Sequence, residues 1–199
     1  MGKIFFLFLL LTTINDKEDE DIKLIDQFLS GKEVGFNRLV LKYQNRIYNL
    51  CMRMLNNEDD ALEVSQDVFL AVFVNLKKFR RESRFSTWLF AIAINHCRNK
   101  LRKKIKEEDI PDNYEEIDLK SPYKILKEKE IKRLISEAIK KLEQPYREAI
   151  ILRDIEDLSY QEMSKIMKVE IGTVKSRVHR ARSKIKQILK KAGINFEKL

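Results

Sequence analysis

Glycine and proline are scarce in this chain, five and three residues out of 199. Few tight turns are therefore available, which argues against an all-β fold and for long helices. Cysteine is scarcer still. Cys51 and Cys97 stand far apart with no paired spacing, so a disulfide framework is excluded and a reduced, cytoplasmic setting is the simplest inference. His96 and His179 are the only histidines, and no CxxC, HExxH, glycine-rich phosphate loop or nucleophile motif occurs. His96 and Cys97 are adjacent, so they point to different helix faces. A metal-dependent nuclease would need clustered carboxylates beside its basic surface. Here they gather at Asp59–Asp67 and at 107–122, away from the basic stretches. The expectation is a binding protein, not an enzyme, with no metal, cofactor or small-molecule substrate.

Long apolar runs are missing as well. Ile4–Ile14, IFFLFLLLTTI, falls short of the ~20 residues that a membrane helix needs. Its length and the preceding Lys3 suit a signal-peptide core, but Asn15 and Asp16 follow where a small-x-small cleavage site would stand. Phe6 occupies the position where myristoylation requires Ser or Thr. A start codon placed too early is the leading reading of this segment, and a membrane-surface tether the second.

What is plentiful is positive charge: 40 Lys and Arg against 31 Asp and Glu, a net +9. Such an excess suggests an acidic partner, with nucleic acid the default. Apolar spacing divides the chain into an extension (1–21), a helical domain (22–106), an acidic linker with Pro111 and Pro122 (107–122) and a second helical domain (123–199). The expected fold is all-α, two small helical domains joined by a flexible acidic linker. Helices are predicted over 22–29, 32–55 and from Asp59 or Asp60 onward. The last carries a broad apolar stripe (Ala61, Leu62, Val64, Val68, Phe69, Val72, Phe73) and a polar face of Asp60, Glu63, Gln66 and Asp67. That polar face reads as solvated or as a protein docking surface, and the residues alone favour the former.

Phe79–Lys104 has aromatics at one end and cations at the other, with no acid between Glu82 and Glu107. Ser86 or Thr87 is positioned to cap a helix beginning near Trp88. At 100° per residue, Phe90, Ala93, Ile94, Cys97, Leu101 and Ile105 fall on one face; Trp88, Asn95, Arg98, Asn99 and Arg102 fall on the other. Aromatic, amide and cation together suit unstacked bases, by stacking, base-edge bonding and phosphate neutralisation. For Trp88, stacking and simple burial are both open.

In the second domain a helix is predicted over 124–142 and another from Pro145 to Leu152. Ser159-Tyr160-Gln161-Glu162 is a capping box. A short helix to Lys168-Val169 and a basic helix from Gly172-Thr173 to about Lys191 complete a helix-turn-helix pattern. Val174, Val178, Ala181, Ile185 and Ile188 make the packing stripe. Lys175, Ser176, His179, Arg180 and Ser183 lie opposite, at the end that enters the major groove in such motifs. Lys175 or Arg180 suits guanine O6 and N7, and Ser176 suits either base. Arg177, Arg182, Lys184 and Lys186 suit phosphates.

Asp59–Phe69 followed by Phe85-Ser86-Thr87-Trp88-Leu89 resembles the second region of extracytoplasmic-function (ECF) sigma factors of bacterial RNA polymerase. Leu158–Glu162, Gly172–Arg177 and Arg180-Ala181-Arg182 resemble their fourth region. The resemblance implies a sigma factor that binds core RNA polymerase, directs it to promoters and promotes melting. Asp60, Glu63, Gln66 and Asp67 would dock the polymerase clamp, which reverses the solvated reading of that face. Phe79, Arg80, Trp88, Asn95, Arg98, Asn99 and Arg102 would serve the minus-ten element, with a flipped non-template base against Phe79 and Asn95. Lys175, Ser176, Arg177, His179 and Arg180 would serve the minus-thirty-five element. The acidic linker would thread toward the polymerase active-site and RNA-exit channels. Polymerase binding would unmask the DNA contacts, and an anti-sigma factor is the expected inhibitory partner. Arg81 departs from the family, which often has Gly there. A stand-alone helix-turn-helix regulator is the alternative reading, and a DNA-processing enzyme a more distant one.

Overall fold

A computed structural model describes residues 20–107 and 128–193. All regular structure among the described residues is helical, as composition leads one to expect. The N-terminal domain comprises α1 (residues 20–29), α2 (Val34–Leu55), α3 (Glu58–Asn75), a 3-10 turn (Leu76–Lys78) and α4 (Phe85–Glu107). The C-terminal domain comprises α5 (Glu128–Lys140), α6 (Gln144–Ile150) running into a π-helical turn (Ile151–Ile155), α7 (Tyr160–Met167) and α8 (Ile171–Lys191). The apolar extension and nearly all of the acidic linker lie outside the described residues.

Local chemistry fixes most boundaries. Asn56 ends α2 in the left-handed conformation (φ 54°), and the Asn57 side chain then accepts from the Asp60 amide at 2.9 Å to cap α3. Pro145 sits in the first turn of α6, where its missing N–H costs nothing. The capping box forms as expected: the Glu162 amide donates to Ser159 Oγ at 3.2 Å, and the Ser159 amide to Glu162 Oε2 at 2.8 Å. Gly35 lets α1 and α2 meet, because a Cβ there would lie 2.3 Å from the Leu24 carbonyl oxygen.

α4 begins at Phe85, ahead of Ser86 and Thr87, so neither is its cap. The Trp88 amide already donates to the Arg84 carbonyl at 3.2 Å. Thr87 is buried inside the first turn and uses its hydroxyl elsewhere.

α2, α3 and α4 pack around Leu39, Ile47, Leu50, Val68, Phe90 and Ile94, each at most 1% exposed. The C-terminal core is built from Leu142, Ile151, Leu152, Met163, Val174 and Val178. These two sets of side chains form one continuous apolar cluster, so the domains are docked, α4 against α7 and α2 against α5 and α6. Each fully buried Leu or Ile contributes about 1.5–3 kcal/mol relative to exposure.

Candidate nucleic-acid and polymerase interface

The loop between Leu76 and Phe85 is shaped by Arg81, whose φ is +59°. This left-handed conformation costs a side-chain-bearing residue roughly 1–2 kcal/mol and explains why glycine suits the position. The Arg81 guanidinium pairs with Asp26 of α1, so the loop keeps the turn and gains a tether to α1.

Phe79 leaves that loop inward. It is 8% exposed, with its ring 5.8 Å from Phe85 and 5.4 Å from Trp88. The base-contacting side chain that the resemblance implies is here a wall of an aromatic cluster. Trp88 is half-buried in the same cluster, 6.0 Å from Phe85, so it is partly core and partly accessible surface. Arg80 is exposed.

The polar face of α4 divides in two. Asn95, Asn99 and Arg102 are exposed, and Arg102 donates to Asn99 Oδ1 at 2.6 Å. Arg98 instead turns to the C-terminal domain. Its Nε donates to Glu148 Oε2 at 3.1 Å, its Nη2 to the second carboxylate oxygen, and its Nη1 approaches the Ile166 carbonyl at 3.5 Å. Burial pushes the Glu148 carboxyl up, against the opposing pull of Arg98 and Arg177. Thr87 Oγ1 donates to Glu162 Oε1 at 2.6 Å. Burial tends to raise the Glu162 carboxyl, but bonds from Thr87 and Ser159 outweigh it and hold the group below its usual range. The sequence showed both halves of these pairs without any sign that they would meet. Behind Arg98, Cys97 and Cys51 are both fully buried and free, and a bond to Cys51 together with burial pushes the Cys97 thiol far up.

On α3, Glu63, Gln66 and Asp67 are exposed, whereas Asp60 is buried at 8% exposure. Lys104 and Lys100 reach Asp60 from α4, the latter at 3.3 Å, and hold its carboxyl below the usual range. Asp60 thus ties α3 to α4. An open groove of about 460 Å³ between these helices is lined by Glu63, Asp67, His96, Asn99, Lys100 and Arg102. Leu62, Leu70, Phe73 and Val74 are 51%, 64%, 47% and 66% exposed. The broad apolar stripe read from the sequence is therefore wider than the core, and part of it is surface. Its breadth was the available signal.

On α8, Lys175, Ser176, His179 and Arg180 are exposed on one face, while Val174, Val178 and Ala181 are buried on the other. Lys175 Nζ lies 5.8 Å from the centre of the Tyr160 ring, and the Arg153 guanidinium lies 5.1 Å from it. Arg177 is half-buried on the side of Glu148. Arg182 is held by Asp154 at 3.0 and 2.5 Å. Among the described residues no helix is long and apolar enough to cross a membrane, and no group of three or more His, Cys, Asp or Glu could hold a metal.

Comparison with known proteins adds the lineage. Sigma-70 region 2 matches residues 39–106, and Sigma-70, region 4 matches residues 132–185. The RNA polymerase sigma-H factor of Pseudomonas aeruginosa is 32% identical over 183 residues, covering 86% of this chain and 95% of that protein. The ECF RNA polymerase sigma factor SigW of Bacillus subtilis is 32% identical over 184 residues, covering 84% and 96%. Among solved structures, the sigma factor RpoE of Bartonella quintana in complex with the anti-sigma factor NepR superposes with a TM-score of 0.62 at 26% identity, covering 78% of this chain and 96% of that one. CnrH in complex with the cytosolic domain of CnrY gives 0.62 at 23%, covering 86% and 97%, a likeness of fold. Matched in both regions, in order and over most of its length, the chain belongs to the ECF group of the sigma-70 family of RNA polymerase sigma factors.

Proposed function

We propose that the protein binds core RNA polymerase through α3, reads a minus-thirty-five element with α8 and captures bases of a melting minus-ten element along α4. It acts by binding rather than by catalysis, and it works in the cytoplasm. The observation that carries this reading is the row of Leu62, Leu70, Phe73 and Val74 left exposed beside Glu63, Gln66 and Asp67. An apolar row rimmed by charge on a basic DNA-binding chain suits a protein partner better than solvent or DNA. Asp60 supports that surface from behind.

Asn95, Asn99, Arg102 and Arg80 offer amides and cations to the melted strand, with Trp88 as the accessible ring and Phe79 as its backing. Extruding a base costs a few kcal/mol, and stacking returns about 1–3 kcal/mol per base. On α8, Lys175, Ser176, His179 and Arg180 face outward for the major groove, with Arg177 at the edge of that surface. An anti-sigma factor is the inhibitory partner, in line with the NepR complex of the Bartonella relative.

Run-off transcription from a promoter library tests the reading. Transcripts are expected only when the protein and core polymerase are both present. Duplex binding with no core dependence would favour a stand-alone regulator, and strand cleavage by the protein alone a processing enzyme. Asn95→Ala is expected to lose sequence selectivity in melting while keeping polymerase affinity. Loss of polymerase affinity with DNA contacts intact would refute the role given to α4.

A further inference from the structure

α1 is a fixed post on the N-terminal domain. Leu24 and Ile25 are buried against the core, and Gly35 lets α2 sit directly on the Leu24 carbonyl. Asp21, also buried, accepts from Tyr43 Oη at 2.5 Å and from Lys42 Nζ at 2.7 Å. Asp26 is on the exposed side of the same helix and takes the Arg81 guanidinium, 55 positions away, in the loop that leads into α4. That loop is anchored at its two ends by rings. Phe79 and Phe85 are buried with their centres 5.8 Å apart, and the Phe79 amide donates to the Leu76 carbonyl at 3.1 Å. Between these anchors Arg80, Arg81, Glu82 and Arg84 are exposed.

The middle of the loop turns on Arg81 at φ +59°. A side chain disfavours that region, so an arginine left without a partner drifts back to negative φ, and a glycine would visit both signs. Either change re-aims the side chain at 81 away from Asp26 and turns the adjoining Arg80 with it. We propose that Asp26 is a positioning residue for base selection: through Arg81 it fixes the loop that carries Phe79 and Arg80, and α1 thereby influences which base is accepted without touching DNA. The inference rests on the reading of this loop and α4 as the minus-ten surface. Both side chains of the pair are about half exposed, 46% and 54%. The pair therefore acts on the shape of a loop and hardly on the stability of the domain, since pairs this exposed shift an equilibrium by at most about fivefold.

The test uses the full chain with core polymerase and a single-stranded non-template library randomised over the minus-ten positions. Bound strands are sequenced, and the preference at each position is written as the ratio of the favoured base to the next. Asp26→Asn and Arg81→Gly should each lower the sharpest ratio about threefold, with polymerase affinity and denaturation midpoint unchanged. Loss of an acid or a cation near the strand changes affinity for all sequences alike, so the ratio separates positioning from charge. Asp26→Arg/Arg81→Asp remakes the pair with the same combined reach, and Asp tolerates the left-handed region better than most side chains. This exchange should restore the wild-type ratio. Tryptic cleavage of the free protein after Arg80 and Arg84 reads the loop without DNA or polymerase. It should quicken about threefold in Asp26→Asn, which leaves the cleaved sequence untouched. A wild type with no base preference would refute the reading of α4 on which the inference rests. A wild type with a preference that Asp26→Asn leaves intact, an unchanged cleavage rate, or an exchange that restores nothing would overturn the inference alone.

Discussion

Arg98→Ala is the sharpest single perturbation of this molecule. It removes a guanidinium that makes two bonds to a carboxylate with a side chain only 3% exposed. Glu148 would be left with Arg177 alone, at longer range. Stripping one partner from a buried ion pair costs about 3–5 kcal/mol. Arg98 keeps 21% of its side-chain surface in water, which places the expectation near 3 kcal/mol, the lower end of that range. Replacing both partners by apolar residues of similar volume, Arg98→Met/Glu148→Leu, should be near neutral, because no buried charge then remains. The cost of Arg98→Ala cannot exceed the free energy of docking, since the domains can separate instead. Urea denaturation followed by two signals distinguishes the cases. Trp88, the chain's single tryptophan, reports on the N-terminal domain, and far-ultraviolet circular dichroism reports on both. Wild type should give coincident transitions, and Arg98→Ala should shift or split them. Coincident, unshifted transitions in Arg98→Ala, or a double variant as damaged as the single, would refute the buried pair.

Acidity should act on the contact between the two domains in two directions. Glu148 is raised, chiefly by burial against Arg98 and Arg177, so its contribution is fully present below the ordinary 4.5 and is lost as pH rises through the raised value. Glu162 is lowered, so its contribution is present above 4.5 and lost as pH falls through the depressed value. Docking should therefore tighten slightly as pH drops toward 4.5 and weaken beyond it, with Glu148→Gln removing the first limb in a pH series of denaturation midpoints. Arg81→Gly should leave stability unchanged or raise it by up to about 1 kcal/mol, because relief of a left-handed residue outweighs loss of an exposed ion pair worth about 0–1 kcal/mol; thermal denaturation checks it, and a clear loss would mean that the Asp26 tether matters more. Phe79→Ala should cost about 3 kcal/mol of stability as a buried aromatic deletion, so any loss of promoter selectivity should come with a lowered denaturation midpoint.

The helices were legible because their signals are local. Apolar spacing of three and four marked α2 and α8, and the Ser159–Glu162 box marked α7 to the residue. The start of α4 was missed because Ser86 and Thr87 look like caps in isolation. In the fold the helix already runs from Phe85, and the Thr87 hydroxyl goes to Glu162, 75 positions away, instead of to a cap. The same reason hid the role of Arg98: helical periodicity assigns a face but does not say whether that face meets solvent, DNA or another domain. Arg81 runs the other way. Its side chain suggested a departure from the family, whereas the backbone at +59° keeps the turn that a glycine would make.

Cys51 and Cys97, fully buried at the contact of α2 and α4, give this protein a clock. A thiol reagent in water can reach them only when the helices part, so its rate of reaction counts openings of the N-terminal domain. With both sulfurs out of reach of solvent and the Cys97 thiol held protonated by its bond to Cys51 and by burial, the folded state contributes almost no reaction of its own. Any partner that grips α2 or α4 should slow that clock, and the slowing can be timed in the unmodified chain without a single added label.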